Sequence, residues 1–150
     1  MFQKKLHNDL IILIFSSLLI MYVTLFHNRI KSYYDPLVSR IKTDLMKIDS
    51  RVRNLTFSAS DESFTEDKKH VYLCLKDRKG EYYDYNMLMY VSLHELAHAF
   101  SKTIDTEHKG QEFLTNFQKL LDTAKDKGLY DPNKPLIQDY CRINEKQHQH

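Results

Sequence analysis

Glycine and proline are scarce in this chain, three of each in 150 residues, which argues against low complexity. No internal repeat is present, so repeat architectures are set aside. Neither sign of charge dominates, with 22 Lys and Arg against 20 Asp and Glu. Such a balance gives no reason to expect a nucleic-acid partner recruited by a basic field. Blocks of five or six like charges, the mark of a solvating tail, are also missing. Only two cysteines occur, Cys74 and Cys141, at a spacing that fits neither a zinc knuckle nor a redox motif. In an oxidising space they could form one disulfide, but the plainer reading is one buried thiol and one thiol in the tail.

What is present begins with an uncharged run, Leu10 to Phe26, with Ser16, Ser17 and Thr24 as its polar members. Its length is at the short end of the roughly 17 to 25 residues that span a bilayer. The run closes on Thr24-Leu25-Phe26-His27-Asn28, without the small residues of a signal-peptide cleavage site. It is therefore read as an uncleaved membrane anchor over residues 1–30, leaving 31–150 as one domain large enough for a compact core. Arg29, Lys31, Arg40 and Lys42 give a modest basic excess downstream. By the positive-inside rule this favours a single-pass membrane protein with its domain on the cytoplasmic side. The sequon Asn54-Leu55-Thr56 would matter only on the other side.

Within 31–150, Asp35-Pro36 is a helix start, a capping carboxylate followed by proline in the first turn. Leu37, Ile41, Leu45, Ile48, Val52 and Leu55 continue it as one apolar stripe. Ser58 to Lys69 is polar and reads as a loop. Val71 to Leu75 is a run of strand formers that Glu81 to Tyr85 could join as a hairpin. Asn86 is a candidate N-cap for a helix from Met87 to about Thr103 that is apolar on most sides and so expected to be central. A further helix runs from about Gly110 to Lys127, with Gly128 where a C-terminal cap belongs. Beyond Asp131, the prolines Pro132 and Pro135 and a polar end predict an extended tail.

The chemistry resides in His94-Glu95-Leu96-Ala97-His98. Histidines four apart on a helix share a face and can share a metal ion, while the intervening glutamate reaches the water on that metal. Two histidines and a glutamate on a buried helix are costly unless paired or coordinating, which favours zinc over a satisfied core pair. Ser101 and Ile104 stand where the longer H-E-x-x-H-x-x-G-x-x-H motif needs glycine and histidine, so that class is excluded. His108 is the favoured third ligand, with Glu107, Glu112 and Asp105 as rivals. Tyr83, Tyr85, Tyr90, Tyr130 and Tyr140 are candidates for an oxyanion donor, and nothing in the sequence selects one. His148 and His150, near the chain end, are read as incidental.

From Val71 to Tyr130 the chain resembles the SprT/WLM group of small zincin peptidases, particularly short versions found in large DNA viruses. The anchors are His94, Glu95, His98, His108 and Phe113. Phe113 follows His108 by five positions, against four in many members. The resemblance implies an α+β fold: a small zincin-like core of helix, hairpin or sheet, H-E-x-x-H helix and further helix, here joined to an N-terminal transmembrane helix. It also implies zinc held by His94, His98 and His108, Glu95 as the catalytic group, and a sheet edge that takes up a protein or peptide substrate. Relatives in that group cleave proteins crosslinked to DNA, a role the near-neutral charge and the expected anchor do not support. A second reading is a non-catalytic membrane or virion component that keeps zinc for structure, its fourth site closed by Cys141 or a carboxylate.

Overall fold

A computed structural model describes residues 11–25, 35–102 and 110–141. The chain separates into two units, Met1–Tyr33 and Tyr34–His150. In the first, residues 11–25 form a helix, α1, all of whose side chains are exposed. Its hydroxyls turn back on their own helix: Ser16 Oγ donates to the Leu13 carbonyl at 2.9 Å and Thr24 Oγ1 to the Met21 carbonyl at 2.8 Å. The expected transmembrane helix over 10–26 is overturned. Among the described residues, no helix is long and apolar enough to cross a membrane.

Among its described residues, the second unit is a small α+β domain with a three-stranded sheet and three α-helices, α2 (Pro36–Ile48), α3 (Tyr85–Phe100) and α4 (Gln111–Asp126). The start of α2 is the predicted one: the Asp35 carboxylate accepts from Leu37 N at 2.9 Å, with proline in the first turn. Its stripe does not run on as one helix. Asp49 ends α2 and then accepts from Arg51 N at 2.9 Å, starting a short 3-10 helix, Ser50–Asn54, that carries Val52 into the core.

The polar stretch expected to be a loop contains two strands. β1 (Thr56–Ser60), β2 (Phe64–Glu66) and β3 (His70–Cys74) form a sheet in the order β1-β3-β2. β3 is central, parallel to β1 and antiparallel to β2, with Phe57 beside Val71 and Thr65 beside Val71 from the other side. The β2–β3 turn uses left-handed Asp67 (φ 49) and Lys68 (φ 57), and Lys69 N donates to the Glu66 carbonyl at 3.0 Å. Conversely, the hairpin expected between 71–75 and 81–85 reduces to an isolated bridge, Lys76 to Tyr82.

Ile41 and Leu45 of α2, Phe57, Val71 and Leu73 of the sheet, and Leu88, Leu93 and Leu96 of α3 form one core, which Phe113, Leu120 and Ala124 of α4 extend. α3 starts two residues before the expected helix because Asp84, rather than Asn86, is its cap, accepting from Asn86 N at 2.9 Å. Asn86 instead ties the helix start to the tail, its Oδ1 accepting from Asp131 N at 2.7 Å. α4 ends as predicted: Gly128 takes φ +68, and Leu129 N donates to the Ala124 carbonyl at 2.9 Å.

Candidate metal and catalytic site

The helical period places His94 and His98 one turn apart on α3. Their ring centroids are 5.0 Å apart with planes inclined at 72°. Both rings lie at the half-buried edge of the helix, under α4. Phe113 packs 5.1 Å from His94 and 4.5 Å from His98, and Phe117 lies 5.2 Å from His94. The first turns of α4 thus wall the imidazoles with aromatic edges and faces, which restricts their rotamers and limits water around them.

Glu95 projects from the buried side of α3 and is 6% exposed. Its carboxylate is held by β2: Thr65 Oγ1 donates to Glu95 Oε2 at 2.9 Å and lies equally close to the Glu95 carbonyl. Burial pushes the Glu95 carboxyl up to about 7, against the opposing effect of the Thr65 hydrogen bond. A buried carboxyl poised near neutrality suits a group that both takes and returns a proton.

Two imidazoles on adjacent turns are the neutral nitrogen donors that zinc prefers, and they fit two of its positions. Among the described residues, no group of three or more His, Cys, Asp and Glu comes together to hold a metal. His108, with its rivals Asp105 and Glu107, lies outside the described residues. Glu112 is engaged otherwise: its Oε1 accepts from Lys102 N at 3.0 Å, bridging the exit of α3 to the first turn of α4.

The tyrosines separate by what their hydroxyls do. Tyr85 donates to Asp44 Oδ2 at 2.6 Å, a link to α2 remote in role from the histidines. Tyr83 accepts from Cys141 N at 3.1 Å and packs against Tyr140 with centroids 4.7 Å apart and planes inclined at 46°. Tyr140 donates to the Cys74 carbonyl and lies 3.1 Å from Ser63 Oγ. Burial pushes the Tyr140 hydroxyl up to about 12, an effect that Ser63 opposes and the nearby Tyr83 and Glu95 reinforce. Tyr90 and Tyr130 sit together, centroids 6.0 Å apart, beside the Phe117 ring that touches His94. Tyr90 thus adjoins the histidine side of α3 through Phe117, with Tyr130 behind it.

Cys74 and Cys141 correct the sequence reading: they form a disulfide, with Cα atoms 6.2 Å apart, in place of two separate thiols. That bond also removes Cys141 as a zinc ligand. Thr65 is the residue of the candidate site that the sequence did not reveal. It lies in a polar stretch, and its one cue is the short alternation Phe64-Thr65-Glu66.

No family model matches the chain, and no solved structure does. Viral proteins do match. Uncharacterized protein 136R of Invertebrate iridescent virus 6 is 45% identical over 83 residues, covering 53% of this chain and 45% of that protein. Uncharacterized protein 042R of Invertebrate iridescent virus 3 is 45% identical over 91 residues, 60% of this chain and 55% of that protein. An uncharacterized protein of Acanthamoeba polyphaga mimivirus is 45% identical over 74 residues, 44% of this chain and 38% of that protein. The chain spans about half the length of the curated relatives it matches, and their names carry no activity.

Proposed function

We propose that the Tyr34–His150 unit is a zinc-dependent peptidase related to the SprT/WLM zincins. The observation that carries this reading is the pairing of His94 and His98 on one face of α3 with a buried Glu95 fixed by Thr65. A structural pair of histidines would not require a carboxyl beside it, buried and held by a strand from the sheet.

In this reading His94 and His98 hold the metal with His108 as third ligand. Zinc, when bound there, makes a water nucleophilic near neutral pH and polarises the carbonyl it attacks. Glu95 takes the proton released by that water and returns it to the departing amine. Thr65 keeps the accepting oxygen in one place, so the proton transfer needs no side-chain search. β2 is an edge strand above α3, suited to bind an extended protein or peptide segment by adding a strand. The substrate's backbone then lies alongside the strand that positions Glu95.

Zinc stoichiometry and a peptide-library cleavage assay on the full chain test this, with Glu95→Gln and His108→Ala in parallel. The expected result is one zinc per chain, weakened in His108→Ala. Glu95→Gln retains zinc and loses about 10²- to 10⁴-fold in turnover, the usual worth of a positioned general base. A folded wild type that takes up no zinc would overturn the proposal.

A further inference from the structure

The C-terminal segment is fastened to β3, the neighbour of the strand that positions Glu95. Cys74 is the last residue of β3 and is buried, and its disulfide to Cys141 brings residues 140–141 against the sheet end. Cys141 holds a left-handed backbone, φ 50, which a side-chain-bearing residue keeps only where its neighbours determine it. Three contacts do so: the disulfide, the Cys141 N–H to Tyr83 Oη bond, and the Tyr140 hydroxyl to Cys74 carbonyl bond.

From there a continuous path leads to the candidate site. Tyr140 Oη is 3.1 Å from Ser63 Oγ, which also accepts from Cys74 N at 2.9 Å. Ser63 immediately precedes β2, and Thr65, two residues on, holds Glu95. β2 is three residues long and pairs only with β3 in the sheet, where Phe64 stacks on Tyr72 with centroids 4.5 Å apart and Tyr72 Oη donates to Glu66 Oε2 at 3.2 Å. Fastenings at its two ends add to these contacts. At one end Lys68 Nζ donates to the Ser101 carbonyl. At the other end are Ser63 and Tyr140.

We propose that the Cys74–Cys141 disulfide is a redox latch: closed, it holds β2 so that Thr65 positions Glu95, and open, it frees β2 and misplaces Glu95. A dithiol reductant opens it, giving up two electrons and two protons. The Cys74–Cys141 bond becomes two thiols, and the dithiol becomes a disulfide. Thr65 acts here as a positioning residue, through Glu95. The catalytic consequence rests on the peptidase reading, whereas the latch itself requires neither zinc nor substrate.

Hydrogen exchange on the full chain, oxidised and after dithiothreitol, tests the latch directly. Peptides covering 131–141 and 61–67 are expected to exchange at least ten-fold faster on reduction, with the middle of α3 unchanged. Tyr140→Phe, with the disulfide intact, is expected to speed 61–67 as well. Faster exchange confined to 131–141 overturns the proposal, because the tail would then leave without consequence for β2. Faster exchange throughout the domain also overturns it, since the bond would be a general crosslink. In a zinc-loaded chain that cleaves peptide, reduction and Thr65→Val should each lower kcat at least ten-fold with KM within two-fold, and Thr65→Ser should restore it. Absence of zinc uptake in a chain that passes the exchange test would sink the peptidase reading and leave the latch standing.

Discussion

α3 and α4 are the same length, 16 residues each, and are built on opposite plans. α3 buries residues on every side, from Asn86 to Ala97, whereas α4 buries Phe113, Leu120 and Ala124 along one stripe. An all-round apolar helix is central, and an amphipathic one is a cover. The candidate site sits on the more buried helix, and the cover supplies aromatic walls. The contrast teaches that His94 and His98 are oriented less by their own helix than by what is laid over them.

The sharpest break of this contrast is at Phe113, a residue of the cover that is buried like one of the centre, at 2% exposure. Phe113→Ala is expected to cost about 3–5 kcal/mol in urea unfolding, as large aromatic truncations in cores do. It should also weaken zinc binding by freeing both imidazoles. Unchanged zinc affinity in the folded variant would show that α4 does not orient the histidines.

A smaller effect is expected where α3 meets α2. Burial of the Asp44 carboxyl would raise its pKa, but hydrogen bonds from Lys47 and Tyr85 and the positive charges of Lys47 and Arg40 win, and it is lowered. A carboxyl depressed in the folded state binds fewer protons there than in the unfolded chain. Its contribution is complete above the ordinary value of 3.8 and is lost as pH falls through the lower folded value. Tyr85→Phe should therefore cost about 1–2 kcal/mol near neutrality and less at pH about 2.5. Urea unfolding at the two pH values checks this, and an equal cost at both would remove the Asp44–Tyr85 pair from the account.

The smallest effect belongs to the outer side of α4. Leu114→Ala, at a position 44% exposed, should change stability by no more than about 0.5 kcal/mol. A larger loss would mean that this face has a partner that the stripe along α4 does not suggest.

Helices were the readable part of this sequence, because their signals are local. Asp35-Pro36, the periodicity of 111–126 and Gly128 each act within a turn or two of where they stand. The all-round apolar character of 87–100 also announced a central helix, although its cap was placed at Asn86 instead of Asp84. The sheet was harder for a physical reason. β1 reads Thr-Phe-Ser-Ala-Ser and is completed by parallel pairing with β3, 14 positions away, so its strand character lies in the partner. β2 is too short to show a period. At the site, His94, Glu95 and His98 were legible from spacing, whereas Thr65 and the Cys74–Cys141 pairing depend on where the sheet brings distant segments. The apolar run of α1 shows the converse, since hydropathy alone suggested a span that the described helix is too short to make.

The disulfide joins residues 67 positions apart, and α3, α4 and the residues between them lie inside that covalent ring. Opening the backbone once, anywhere from 75 to 140, converts the ring into two segments that remain one molecule. A chain clipped there by itself or by another protease would keep its mass in a non-reducing gel and fall into two bands when reduced. His94, Glu95 and His98 would stay attached to the sheet by a route that does not depend on an unbroken backbone. Integrity of this protein is therefore better judged by its reduced mass than by its oxidised one.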